Sequence, residues 1–158
     1  MRSHLPYQRY TRLCLAVTVI SLTWLAGCAA PVATSRLAER ERLAQLDYPA
    51  DAERGPDLDI VVRREGTGLT LINRTARPYR DVRVWINQQY ARDLAAIPIG
   101  PGGRLDLTRW VNEHEEPFPV GSFLAPEKAF PVILAELIDL DTGLRHRLLV
   151  WPDPTNSG

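Results

Sequence analysis

Glu113, His114, Glu115 and Glu116 are four adjacent side chains of the types that ligate divalent cations. Consecutive residues converge on one ion only when the backbone wraps around it, and no HExxH pair or Cys pair accompanies them. The expectation is a solvated acidic turn and no metal. His146 lies in an alternating stretch on the face of Leu144, Leu148 and Val150, which predicts a half-buried histidine with a hydrogen-bond partner. No Ser, Cys or Lys sits in a nucleophile elbow, and neither histidine has a motif partner. No catalytic residue is expected, and the chain reads as a non-enzyme. "DLDTG" at 139 to 143 lacks the third oxygen position and the terminal Glu of a calcium loop. A β-turn with Gly143 in the left-handed conformation accounts for it.

The aromatic residues carry the other candidate chemistry. If Val82, Val84 and Ile86 alternate inward, Arg83, Trp85 and Asn87 turn to the opposite face. Together with Tyr90 and Trp110 they would form a surface for stacking sugar rings or docking a protein, since aromatic side chains beside arginine are the usual composition of binding hot spots. The competing expectation is that Trp85 and Trp110 pack under the segment 109 to 129 or against a helix at 35 to 46.

The elements that position these residues follow from periodicity. Ser35 is a plausible N-cap for a helix over 35 to 46, with strong helix formers between Leu37, Glu41 and Ala44. "YPADAERGPD", 48 to 57, reads as a linker. From Leu58 the period becomes two, and strands are predicted at 58 to 64, 68 to 73, 80 to 87, 103 to 108, 130 to 140 and 144 to 151, with a short seventh around 90 to 94. Strand 130 to 140 is apolar on both faces except at Glu136, which places it centrally. Segment 109 to 129 shows no clear strand, and loops of that length in compact domains are often functional.

Six or seven short strands, hairpin turns and no intervening helices predict a mainly β fold, a single antiparallel β-sandwich. The succession "LTLINRT", "RDVRVWIN", "IPIGPGGRLDLT" resembles immunoglobulin-like and fibronectin-type-III-like domains of bacterial envelope proteins. A small open barrel is the alternative. The strand domain is expected at 58 to 152, with a disordered tail at 153 to 158.

The amino terminus carries an address. Residues 1 to 12 are basic and polar, and residues 13 to 26, "LCLAVTVISLTWLA", are almost wholly apolar, the order of a secretory signal. That run is shorter than the roughly 20 residues a membrane-spanning helix needs. "LAGC" at 25 to 28 closes it and is similar to the lipobox of bacterial lipoproteins. The resemblance implies a signal peptide over 1 to 27, cleavage after Gly27, and a diacylglycerol thioether on Cys28. Residues 28 to 57 then form the lipidated tether, the short helix and the linker. Two or three acyl chains, at about 0.8 kcal/mol per buried methylene, anchor stably. Ala29 is not the Asp of the inner-membrane retention rule, so the implied location is the outer membrane, facing the periplasm. The two cysteines of the chain are Cys14 and Cys28, so no disulfide is expected in the strand domain.

Charge narrows the partners. The chain has 19 basic and 19 acidic side chains, and setting aside Arg2, Arg9 and Arg12 of the signal leaves 16 against 19. A mildly acidic domain argues against a nucleic-acid partner, which usually leaves a basic footprint. The expectation is a lipid-anchored periplasmic binding or scaffold protein of the cell envelope. Its partners would be the membrane, through the anchor, and an envelope protein. The alternative is a module that binds peptidoglycan or polysaccharide. No cofactor is expected beyond the lipid on Cys28.

Overall fold

The computed structural model describes residues 30–121 and 129–152. The signal region, Cys28 and the tail 153–158 lie outside the described residues, as does the stretch 122–128 of the long segment. The chain divides into two compact units, one ending at Ala38 and the other beginning at Glu39. Among the described residues no helix is long and apolar enough to cross a membrane.

Helix α1 spans Ala30–Ala44. It begins ahead of Ser35, the cap that the sequence predicts, because Pro31 suits a first helical turn: its fixed φ is pre-organised and its missing N–H has no helical partner there. In the second unit the helix contributes Leu43, which is buried.

Among the described residues nine strands follow: β1 (Ile60–Glu65), β2 (Gly68–Asn73), β3 (Tyr79–Ile86), β4 (Tyr90–Ile97), β5 (Gly100–Pro101), β6 (Leu105–Asp106), β7 (Ala135–Asp139), β8 (Arg145–Arg147) and β9 (Leu149–Val150). The fold is mainly β with two sheets. One has the order β5-β2-β1-β9, with β6 also on β2, and the other has the order β4-β3-β7-β8. Neighbours are antiparallel except for β1 and β9, which run parallel with Val61 opposite Leu149 and Val62 opposite Val150.

The inner faces of both sheets share one core. Ile60, Val62, Leu69 and Leu71 of the first sheet cluster with Val82, Val84, Ile86 and Leu137 of the second, and Trp110 and Phe118 join them. Strand alternation dictates this: inward Val82, Val84 and Ile86 are fully buried, and Arg83 and Trp85 stand on the opposite face. Each such aliphatic side chain contributes about 1.5–3 kcal/mol on burial.

Four predicted strands come out differently, each for a local reason. The strand predicted at 103 to 108 is cut after Asp106, whose carboxylate accepts from the Thr108 amide and starts a 3-10 turn at Leu107–Arg109. The one predicted at 130 to 140 begins only at Ala135, because the Asn87 side chain takes the backbone before it. The last divides into β8 and β9 in different sheets, and buried Leu148 makes the crossing. The short seventh, expected at 90 to 94, extends to Ile97.

The stretch 48 to 57 is no free linker. Gly55 N–H donates to the Arg145 carbonyl, Arg145 N–H donates to the Glu53 carbonyl, and Leu58 N–H donates to the Arg147 carbonyl, so this segment lines the edge of β8. Gly55 is required there: the His146 ring occupies the place of a Cβ. His146 is buried, with Nδ1 2.8 Å from the Pro56 carbonyl.

Candidate functional site

The residues nominated for a stacking surface do not form one. Trp85 is 3% exposed and Trp110 is wholly buried. Trp85 does stand on the outward face of β3, but Leu43, Leu46 and Tyr48 pack over it, together with Ala91, Val111 and Ile138, in a second apolar cluster. Tyr48 meets it edge-on at a ring separation of 5.5 Å. Trp110 belongs to the main core instead, so the two indoles do not share a face. Tyr90 is buried edge-on against Phe118 at 5.0 Å, and its hydroxyl pKa is pushed up, first by burial and then by the Glu116 charge.

The polar members of the set are occupied. Arg83 donates through Nε and Nη2 to the two Asp93 oxygens at 2.7 and 3.2 Å, and Arg42 of α1 adds a third contact at 2.7 Å. Burial alone raises the Asp93 carboxyl, but the hydrogen bonds from Arg83 and then Arg42 outweigh it and hold the pKa below the usual carboxylate range. The Asn87 amide donates to the Pro131 carbonyl, and its oxygen accepts from the Ile133 and Leu134 amides. Arg83 and Asn87 are therefore structural clamps.

The acidic run is exposed at Glu113, His114, Glu115 and Glu116. Asn112 shapes it: its side-chain oxygen accepts from the His114 and Glu116 amides, and its amide donates to Glu116 Oε2. Among the described residues no group of three or more metal-ligating side chains converges.

An exposed aromatic lies elsewhere, on the outward face of the other sheet. Trp151 is 59% exposed. Its amide donates to the Val62 carbonyl, which continues the β1–β9 pairing by one residue and fixes the indole beside β1. Val61, Arg63, Ile72, Arg74 and Trp151 line a depression of about 310 Å³ there. Its floor follows from register, since Val61 faces Ile72 across β1 and β2, and half-exposed Leu149 flanks Val61 on β9. Both guanidinium groups reach outward to carboxylates at 3.0 Å, Arg63 to Glu65 and Arg74 to Asp59. All four of these side chains are about half exposed, so the pairs add little to stability and exchange readily for other partners.

Sequence reasoning missed Trp151 although a signal was present. The alternation that puts His146, Leu148 and Val150 inward puts Leu149 and Trp151 outward. The tryptophans nearer the middle of the chain, Trp85 and Trp110, are the ones that tertiary packing covers.

The chain matches no protein-family model, no curated protein and no solved structure. The geometry of its own faces therefore carries the functional reading.

Proposed function

We propose that this chain is a lipid-anchored envelope protein, held at the outer membrane through Cys28 and facing the periplasm, which binds a protein partner and performs no catalysis. The "LAGC" lipobox supports the anchor. The observation that carries the binding role is Trp151, 59% exposed between Arg63 and Arg74 over an apolar floor. Tryptophan and arginine around a central apolar depression are the residue types that dominate binding energy at protein interfaces.

We also read the two sheets as an immunoglobulin-like or fibronectin-type-III-like sandwich. The shared core supports this, as does the path of the chain: hairpins β1–β2, β3–β4 and β7–β8, with β5 and β6 returning to β2 and β7 returning to β3. The parallel β1–β9 edge is a variation at the end of the chain.

Site-specific photocross-linking in intact cells tests the binding role. A photoreactive residue in place of Trp151 should yield a discrete protein adduct, and the same residue in place of exposed Ala96 on β4 should not. Equal adducts at both positions, or none at 151, would overturn the assignment of this face. The anchor is tested separately by Cys28→Ser. The variant should leave the membrane fraction and lose labelling by radioactive palmitate; unchanged labelling would refute lipidation at Cys28.

A further inference from the structure

A second concave site lies at the far end of β3, where three separate parts of the chain converge. The segment after α1 supplies Tyr48, the β3–β4 turn supplies Gln88 and Gln89, and the acidic run supplies Glu113 and His114, around a cavity of about 300 Å³ with the nearly buried Trp85 in its wall. That volume is at the lower end of small-ligand clefts, about 300–1,000 Å³.

Two features mark it as built. The β3–β4 turn is closed by the Gln89 amide donating to the Ile86 carbonyl, and both central residues are left-handed, Asn87 at φ 51° and Gln88 at φ 61°. Such a turn prefers Asn-Gly. Asn87 meets that preference, and its side chain has the clamping role described above. Gln88 does not: it keeps a long amide at a position where glycine is the unstrained residue. Residues held in sparsely populated backbone regions concentrate at functional sites. The Gln88 amide is also aimed. It donates to Tyr48 Oη at 3.1 Å, and Tyr48 Oη in turn donates to Glu136 Oε2 and accepts from Arg145 Nη1, both at 2.5 Å. Glu136 and Arg145 retain only 12% and 18% of their side-chain exposure. A strained presenting residue is thus fixed from behind by a mostly buried network, the arrangement that pre-organises a binding group.

We infer that this cavity binds a neutral saccharide unit. With Tyr48 Oη saturated, it offers a ligand the Gln88 carbonyl oxygen, the Gln89 amide, and the exposed Glu113 carboxylate and His114 imidazole, which stand 3.6 Å apart. Amides present donor and acceptor together, as vicinal hydroxyls do, so a polyol satisfies them in pairs. Anions are disfavoured, because Glu115 and Glu116 adjoin Glu113 in the same exposed run. The inference is independent of the Trp151 face.

Saturation-transfer NMR on the full lipidated chain in detergent provides the test. The probes are tetrasaccharides of glucose and of N-acetylglucosamine, with putrescine as a cationic control, each at up to about 10 mM to reach millimolar affinities. At least one sugar should receive saturation, and the signal should fall at least tenfold in Gln88→Gly and in Gln89→Ala. Gln88→Gly should melt no lower than the wild type, since glycine adopts the turn without strain; lost binding in a fully folded variant is what a merely structural Gln88 would not produce. Absence of transfer to either sugar, transfer to putrescine alone, or transfer that survives both substitutions would each overturn the inference.

Discussion

Trp85 and Trp151 each stand on the outward face of a sheet, and they differ in what lies over them. Above Trp85 the chain folds back a layer of its own: Leu43 from α1, then Leu46 and Tyr48. Trp151 is instead left more than half exposed by the described chain, Leu149 beside it is about half exposed, and the floor residue Ile72 is partly exposed. Two faces of similar composition thus have opposite fates, and composition alone does not separate them. The covering segment precedes the first strand and lines the edge of β8 up to Leu58, so it reaches the β4-β3-β7-β8 sheet.

The largest effect expected from this difference is at the covered tryptophan. Trp85→Ala should destabilise the fold by about 3–5 kcal/mol, and Leu43→Ala by about 2–4 kcal/mol, read by denaturant unfolding. Because the two touch in one cluster, their double mutant should lose less than the sum. Additive losses would show that Leu43 is not part of the cover. Trp85 Nε1 is buried without a hydrogen-bond partner among the described residues, so Trp85→Phe gives up no bond there and should cost clearly less than Trp85→Ala, in proportion to the smaller cavity it leaves.

Asn87→Ala comes next, at about 2 kcal/mol, because it leaves the Pro131 carbonyl and the Ile133 and Leu134 amides without their partner. Amide exchange should speed up at Ile133 and Leu134 and stay slow at Val84 in the core. Uniform acceleration would instead mean that the clamp belongs to the global fold.

These clamps explain what the sequence made legible and what it did not. The switch to period two at Leu58, the β2 boundaries and the inward set Val82, Val84 and Ile86 all follow from alternation, a local signal. The truncation of the strand expected at 130 to 140 depends on a side chain more than forty residues away in sequence, as the hydrogen bond from Asn87 to the Pro131 carbonyl shows. Helix α1 starts early because a proline can open a helix as well as stop one. The candidate site was misplaced for a similar reason. Period two says that Trp85 leaves the main core, but it does not say that Leu43 and Tyr48 will arrive above it.

The Asp93 cluster tests the cover from its rim. A depressed carboxylate pKa means that the folded state favours the charged form, so its contribution is fully present above the unfolded value of about 3.9 and is lost as pH falls through the folded value. Arg42 is half exposed, which discounts its share by screening. Asp93→Asn should therefore cost about 1–2 kcal/mol at pH 7, and the gap to the wild type should begin to narrow once the pH falls below the unfolded value of about 3.9. A gap that is constant with pH would show that the Arg42 and Arg83 contacts are not electrostatic in origin.

The smallest effect on stability is expected at the uncovered tryptophan, and it sharpens the comparison most. Trp151→Ala removes a side chain that is 59% exposed, while the backbone bond from its amide to the Val62 carbonyl remains. Such a surface change should stay within about 0.5 kcal/mol of the wild type. The same substitution should abolish the partner adduct captured from a photoreactive residue placed at Arg63, a neighbouring position on the same depression. The ranking would then invert between the two readouts, with Trp85 dominant in stability and Trp151 dominant in binding. If Trp151→Ala instead costs several kcal/mol, the indole is a packed element of the sheet edge. The two outward faces would then both be structural, and the docking role would have to move off this depression.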